Sequence, residues 1–299
     1  MDASLEALRE EDRRAYLSVL LAPANGRSDL AALWRYAHQL ATIPFAVTEP
    51  AAGEIRLQWW ADVVRGEREE EGRGHPVGAA LLDAIARHEL PRDPLAEMAE
   101  ARSFDLYADP MPSRGAFEAY AGSIASVPIQ TACLMLDREA AARSTEAAGH
   151  AGVYQVAIDR IASIGRDRAA GRSFLPADVL LEAWVAPTDI VRADFADDAG
   201  RAGAVIERAL AYARTHRTAY GNAIADLPPT LAPAFAAAQA RTVVEGAISR
   251  MGAAVLNEPP PPRPVREQRT ILGTARAFGR GRRTGLLGRL RELLDRGKG

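Results

Sequence analysis

Residues 152–180 read Gly-Val-Tyr-Gln-Val-Ala-Ile-Asp-Arg-Ile-Ala-Ser-Ile-Gly-Arg-Asp-Arg-Ala-Ala-Gly-Arg-Ser-Phe-Leu-Pro-Ala-Asp-Val-Leu, and this stretch decides the fold. Val153, Val156, Ala157, Ile161 and Ile164 recur at spacings of three and four, which gathers them into one buried stripe of a helix. Asp159, Ser163 and Asp167 stand four apart, so they line up along one side of the same helix. Gly171 predicts a stop just past the last turn, because glycine accepts the left-handed backbone found there. Pro176 forbids continuation, since it lacks an N–H and clashes with the preceding turn. A row of oxygen-bearing side chains on a mostly apolar helix predicts a cavity with a polar wall.

Outward from this stretch nearly every segment shows helical period, and strand alternation is scarce. Residues 11–22 predict a first short helix ended by Pro23. Asp29 is placed to cap the next helix, whose apolar face holds Leu30, Leu33, Trp34, Ala37 and Leu40, and Pro44 bends or ends it. Residues 52–66 predict a helix with Ile55, Trp59 and Val63 on one face. Residues 67–75 read as a charged, solvated loop. Helices follow over about 76–89, 92–107, 113–136 and 144–170; Asp178 begins a short one, Pro187 a loop, and two long helices fill 197–220 and 230–256.

At 258–266 the composition changes. Four consecutive prolines, Pro259–Pro262, favour a stiff extended segment. The expected organisation is a helical domain over 1–256, a proline-rich linker over 257–274 and a basic amphipathic tail over 275–299. The tail carries eight Arg and Lys against Glu292 and Asp295, a net of +6, with Leu286, Leu287, Leu290, Leu293 and Leu294 among the charges. That pattern suits an anionic membrane surface or a partner groove.

The 299 residues are 48% hydrophobic and carry a net charge of −2, enough for a sizeable core and no overall preference for polyanions. One cysteine, Cys133, excludes an internal disulfide and any cysteine zinc cage, and reads as a small buried core residue. The acidic N-terminus lacks an apolar signal region, and no uncharged apolar run has spanning length. The expected location is therefore cytoplasmic or peripheral at an inner membrane, not secreted. The only basic cluster has few aromatics among its charges, so nucleic acid is not an expected partner.

Gly53-Glu54-Ile55-Arg56-Leu57-Gln58-Trp59-Trp60 resembles a block of the squalene/phytoene synthase superfamily, and Gly171-Arg172-Ser173-Phe174-Leu175-Pro176-Ala177-Asp178 resembles a second. Asp12-Arg13 and the helix at 29–41 fit the start of the same pattern. The likeness covers roughly 10–250 and is nearest to a divergent branch similar to the mitochondrial complex I assembly factors of that superfamily. It implies an all-α, isoprenoid synthase-like helical bundle around a central cavity. Active members join two prenyl diphosphates head to head, using two aspartate-rich motifs on facing helices to hold Mg²⁺. A hard cation with oxygen ligands suits that task, because it neutralises charge on the departing diphosphate.

The chain departs from the pattern where that chemistry resides. The first motif should fall at 37–41, but Ala37-His38-Gln39-Leu40-Ala41 has no carboxylate. In the second, the first acid falls on Ser163 and only Asp167 survives, with Asp159 one turn earlier. Asp159, Ser163 and Asp167 read as a vestigial second motif with no assigned catalytic residue, Asp167 being the only candidate metal ligand. Arg35, Arg56, Arg166, Arg168 and Arg172 are candidate metal-free phosphate-binding residues. Trp34, His38, Trp59 and Tyr154 are candidate cavity-lining residues.

Two functions follow as expectations. The first is a non-catalytic family member that binds a prenyl lipid or protein partners and helps assemble a membrane complex such as respiratory complex I, with no cofactor. The second is a head-to-head prenyltransferase acting on prenyl diphosphates with Mg²⁺.

Overall fold

The computed structural model describes residues 3–192 and 199–280. The described residues form helices and connecting turns and contain no strand. Helices α1 (Ala3–Glu11), α2 (Arg13–Val19), α3 (Arg27–Thr42) and α4 (Pro50–Arg65) come first. The short α5 (Glu69–Arg73) precedes α6 (Pro76–His88) and α7 (Arg92–Ala101). Next come α8 (Arg114–Ala121) and α9 (Val127–Leu136), joined through a π-helical turn at Gly122–Ser126, and the short α10 (Arg138–Ala141). The long α11 (Thr145–Ala169) is followed by the short α12 (Ala177–Leu181) and α13 (Pro187–Arg192). The long α14 (Ala199–Ala223) and α15 (Ala232–Met251) precede α16 (Pro264–Gly273).

α11 is the central element, packed along α14, α15 and the π-helical turn. Its predicted stripe is buried throughout, with Ile161 fully inaccessible. That stripe joins Phe117, Tyr154, Leu180, Val205, Ile206 and Leu210 in one core. A second core binds α1, α3, α4, α6, α7 and α9 around Leu33, Tyr36, Trp60 and Leu95. Gly152 sets how closely α11 can cross the π-helical turn, since a Cβ there would lie 2.5 Å from the Ser126 nitrogen. The helix ends as its sequence predicts: Gly171 takes φ +73°, and the Arg172 N–H returns to the Asp167 carbonyl at 2.8 Å.

Several local expectations are corrected. Asp29 does not cap α3; it lies in the first turn, buried, paired with Arg87 and 2.7 Å from His88. The charged stretch 67–75 is not all loop. α5 forms within it because Arg73 bridges Glu69 and Asp83 at 3.0 Å each, while the His75 ring nitrogen caps α6. Pro187 opens a helix rather than a loop, since a proline costs no hydrogen bond in a first turn. Ile55 does not share the burial of Val63 and stands 71% exposed. The run Arg114–Leu136 is long and apolar enough to cross a membrane by length and composition, yet half of its most apolar window is buried against other helices.

Residues 257–274 are not a free linker. α16 packs on α15 and α2, Ile271 is fully buried, and the Phe278 ring lies 5.6 Å from that of Phe235. The described domain therefore reaches residue 280, beyond the expected boundary at 256, because apolar side chains spaced along 264–278 find a face of α15. The rest of the predicted basic tail, 281–299, lies outside the described residues.

Candidate functional site

The polar row of α11 faces a cavity of about 490 Å³. Asp159, Ser163 and Asp167 all line it, with Gln155 one turn earlier. Ala41 and Phe45, at and just beyond the end of α3, form part of another wall, and Ile124, Ala125, Val243 and Val244 add apolar surface. Arg14, Arg102, Arg160, Arg166 and Arg263 bring positive charge, and Asp105 and Glu267 bring further carboxylates.

The acids are mostly committed. Arg241 of α15 donates to both oxygens of Asp159, at 3.1 and 2.8 Å. Ser163 donates to Asp167 at 2.7 Å. Burial pushes the Asp167 carboxyl above its ordinary range, against the Ser163 hydrogen bond and the attraction of Arg160 and Arg166. Asp105, 2% exposed, accepts from Arg160 at 2.7 Å, Arg102 at 2.9 Å and the Tyr120 hydroxyl at 2.7 Å. Burial pushes Asp105 up, but Arg160 and Arg102 with the Tyr120 hydrogen bond outweigh it, and the net shift is downward. Arg160 is fixed further by stacking over Phe174, 3.7 Å from the ring centre.

The Mg²⁺ implied by the resemblance does not fit this donor set. From 37–41, only Ala41 reaches the cavity wall; Leu40 is buried in the core and Gln39 lines an outer groove. On α11, both oxygens of Asp159 are held by a guanidinium, and Asp167 is buried and accepts from Ser163. Among the described residues no group of three or more His, Cys, Asp or Glu side chains is arranged to hold a metal.

The predicted phosphate-binding arginines are not brought together. Arg166 alone of the five lines the cavity. Arg35 pairs with both oxygens of Glu11 at 3.0 Å. Arg168 donates to the Ile190 and Leu256 carbonyls at 2.6 and 2.9 Å, and Arg172 to the Asp105 carbonyl at 3.0 Å, so these two tie neighbouring backbone to α11 and to the segment that follows it. Arg56 is exposed beside an outer groove with Trp59 and His75. The predicted cavity aromatics lie elsewhere too. Trp34 is buried in the first core, and His38 is partly buried away from the cavity wall. Trp59 sits in the outer groove, donating to Glu71 at 3.1 Å, and the buried Tyr154 donates to Glu245 at 2.9 Å. A helix face fixes only direction; neighbours distant in sequence decide whether that direction meets cavity, core or solvent.

Sequence reasoning missed Arg102, Asp105, Arg241 and Arg263. Gln155 alone carried a local signal, standing four residues before Asp159.

A family model described as squalene/phytoene synthase matches residues 8–262. The chain is 29% identical over 192 residues to "NADH dehydrogenase (ubiquinone) complex I, assembly factor 6" of Bos taurus, and 28% identical to the Homo sapiens protein of that name. Each alignment covers 63% of this chain and 56% of the relative, so the chain aligns with little more than half the length of these relatives. Among solved structures, squalene synthase HpnC from Alicyclobacillus acidocaldarius superimposes with TM-score 0.67 at 16% identity, covering 83% of this chain and 94% of that one. A dehydrosqualene synthase in complex with ligand gives 0.72 at 14% identity, covering 91% and 93%. These two structures establish the isoprenoid synthase-like helical fold.

Proposed function

The chain belongs to the squalene/phytoene synthase family, and from that premise we propose that it acts without catalysis, as an assembly or maintenance factor for a membrane complex of the respiratory complex I type. The observation that carries this reading is that Asp159, on the cavity wall, is held by Arg241, while the end of α3 brings only Ala41 to that cavity. A diphosphate-cleaving site needs carboxylates free to hold metal. Here one is occupied by arginine and the facing helix supplies none. The relatives named as complex I assembly factor 6 support the same reading.

In this account the retained cavity binds a prenyl or other anionic lipid through arginines rather than through Mg²⁺. The protein partners are subunits of the membrane complex, and the basic residues of 275–299 contribute affinity for an anionic membrane surface. The prenyltransferase reading draws on one observation, the persistence of a cavity of about 490 Å³ with Asp167 on its wall.

Cells lacking the protein, re-supplied with Asp167→Ala or wild type, separate the two readings through the amount of assembled complex I. The non-catalytic reading expects equal restoration by both. Loss of restoration with Asp167→Ala, in folded protein, contradicts it.

A further inference from the structure

Between the end of α15 and the start of α16 the chain runs along the cavity, and both ends of this crossing are anchored. Upstream, Val255 and Leu256 are buried, and Gly165 of α11 leaves room for them: a Cβ there would stand 2.9 Å from the Leu256 carbonyl oxygen. Downstream, Ile271 and Phe278 are buried. Between the anchors Pro259–Pro262, Arg263 and Glu267 line the cavity. Pro259, Pro261 and Pro262 remain exposed while doing so, as a strap one chain thick would be. The family match stops at residue 262, so Arg263, Glu267 and α16 lie beyond it.

Four prolines own no N–H, so they donate no backbone hydrogen bond to the body, and their stiffness makes them move as one piece. Side chains must hold the strap down. Arg14 of α2 grips both oxygens of Glu267, Nε at 2.7 Å and Nη2 at 3.0 Å, and Arg13 donates to Gln268 at 3.1 Å. The Arg263 Nε–H is buried without a hydrogen-bond partner among the described residues. A seated strap therefore carries an unmet donor that water or an entering anion would satisfy.

We propose that residues 259–267 are a movable strap over the cavity, latched by the Arg14–Glu267 pair, and that an anionic headgroup entering the cavity is bound by Arg263. The second half rests on the cavity being a ligand site; the latch stands without it.

A cysteine-labelling experiment tests the latch with no ligand present. Cys133, the only cysteine in the chain, is buried, and burial pushes its thiol up to about 12, so it gives little background. Ala162→Cys places a thiol on the cavity wall. Its labelling by a bulky fluorescent maleimide is expected to be slow, and at least tenfold faster when Glu267→Gln or Arg14→Gln is added. The double exchange Arg14→Glu with Glu267→Arg should return it to the slow rate. Equal rates in all four proteins, each with native circular dichroism, overturn the latch. Val244→Cys serves the same purpose if Ala162→Cys does not fold. Titration with farnesyl diphosphate in EDTA then tests Arg263, for which Arg263→Gln should weaken binding at least fivefold. Unchanged affinity overturns the Arg263 assignment. Absence of binding to the parent protein overturns the ligand reading of the cavity, while the labelling rates decide the strap separately.

Discussion

Arg241 holds Asp159 by two hydrogen bonds, at 2.8 and 3.1 Å, across 82 residues of sequence. The guanidinium is 8% exposed and the carboxylate 42% exposed. Removing one partner therefore has unequal effects. Asp159→Ala strands a buried cation and should cost about 2–3 kcal/mol, below the usual range for fully buried pairs because one partner reaches water. Arg241→Met leaves a carboxylate that water can solvate and should cost about 1 kcal/mol. Urea denaturation of both variants checks the order; a larger loss for Arg241→Met contradicts it.

Asp167 predicts a pH signature. Burial raises its folded-state pKa above the ordinary aspartate value. In the window between the two values the folded chain binds more protons than the unfolded one, so the contribution of this group to stability falls as pH rises through it. Asp167→Asn removes the titration and still accepts from Ser163. The variant should therefore gain stability relative to wild type as pH rises above the ordinary aspartate range, measured as the difference in Tm at each pH. Asp105, whose pKa is lowered, acts in the opposite sense: its stabilisation is present above its unfolded value and is lost as pH falls through the folded one.

The row Asp159, Ser163 and Asp167 is legible in the sequence because a spacing of four is a local property of a helix, and so is the stop at Gly171. The absence of acids at 37–41 is equally legible. The partners that give the row its chemistry are not. Arg241 and Asp105 come from helices whose docking on α11 depends on the whole core, and no local period announces them. Arg168 and Arg172 look like phosphate ligands by charge, yet they satisfy backbone carbonyls that only the folded chain brings near. The proline run reads as a linker because proline excludes helix; the apolar residues that pin it back, Ile271 in α16 and Phe278 beyond it, are widely spaced.

Two glycines of α11 predict opposite outcomes. Gly152→Ala would set a Cβ against the Ser126 backbone, at 2.5 Å from its nitrogen and 2.8 Å from its Cα, and should destabilise by about 3 kcal/mol. Gly149→Ala meets nothing within 4 Å and gains helix propensity, so it should stabilise by about 0.5–1 kcal/mol. Thermal melts of the two proteins decide both.

Residues 281–299 carry Arg282, Arg283, Arg289, Arg291, Arg296 and Lys298 against Glu292 and Asp295, among five leucines. Each basic residue near an anionic surface contributes about 1 kcal/mol, which salt screens. Deleting 281–299 should lower co-sedimentation with phosphatidylserine-containing vesicles at least tenfold and leave binding to neutral vesicles unchanged. Equal sedimentation of the truncated and full chains with anionic vesicles would remove the membrane role of this segment.

The central claim, a family fold whose cavity no longer uses magnesium, is tested most directly by isothermal titration of the full chain with farnesyl diphosphate, with and without Mg²⁺, while released pyrophosphate is assayed in the same samples. The account predicts binding of equal affinity in both conditions and no pyrophosphate. Binding that requires Mg²⁺ and releases pyrophosphate would contradict it and return the chain to the prenyltransferases.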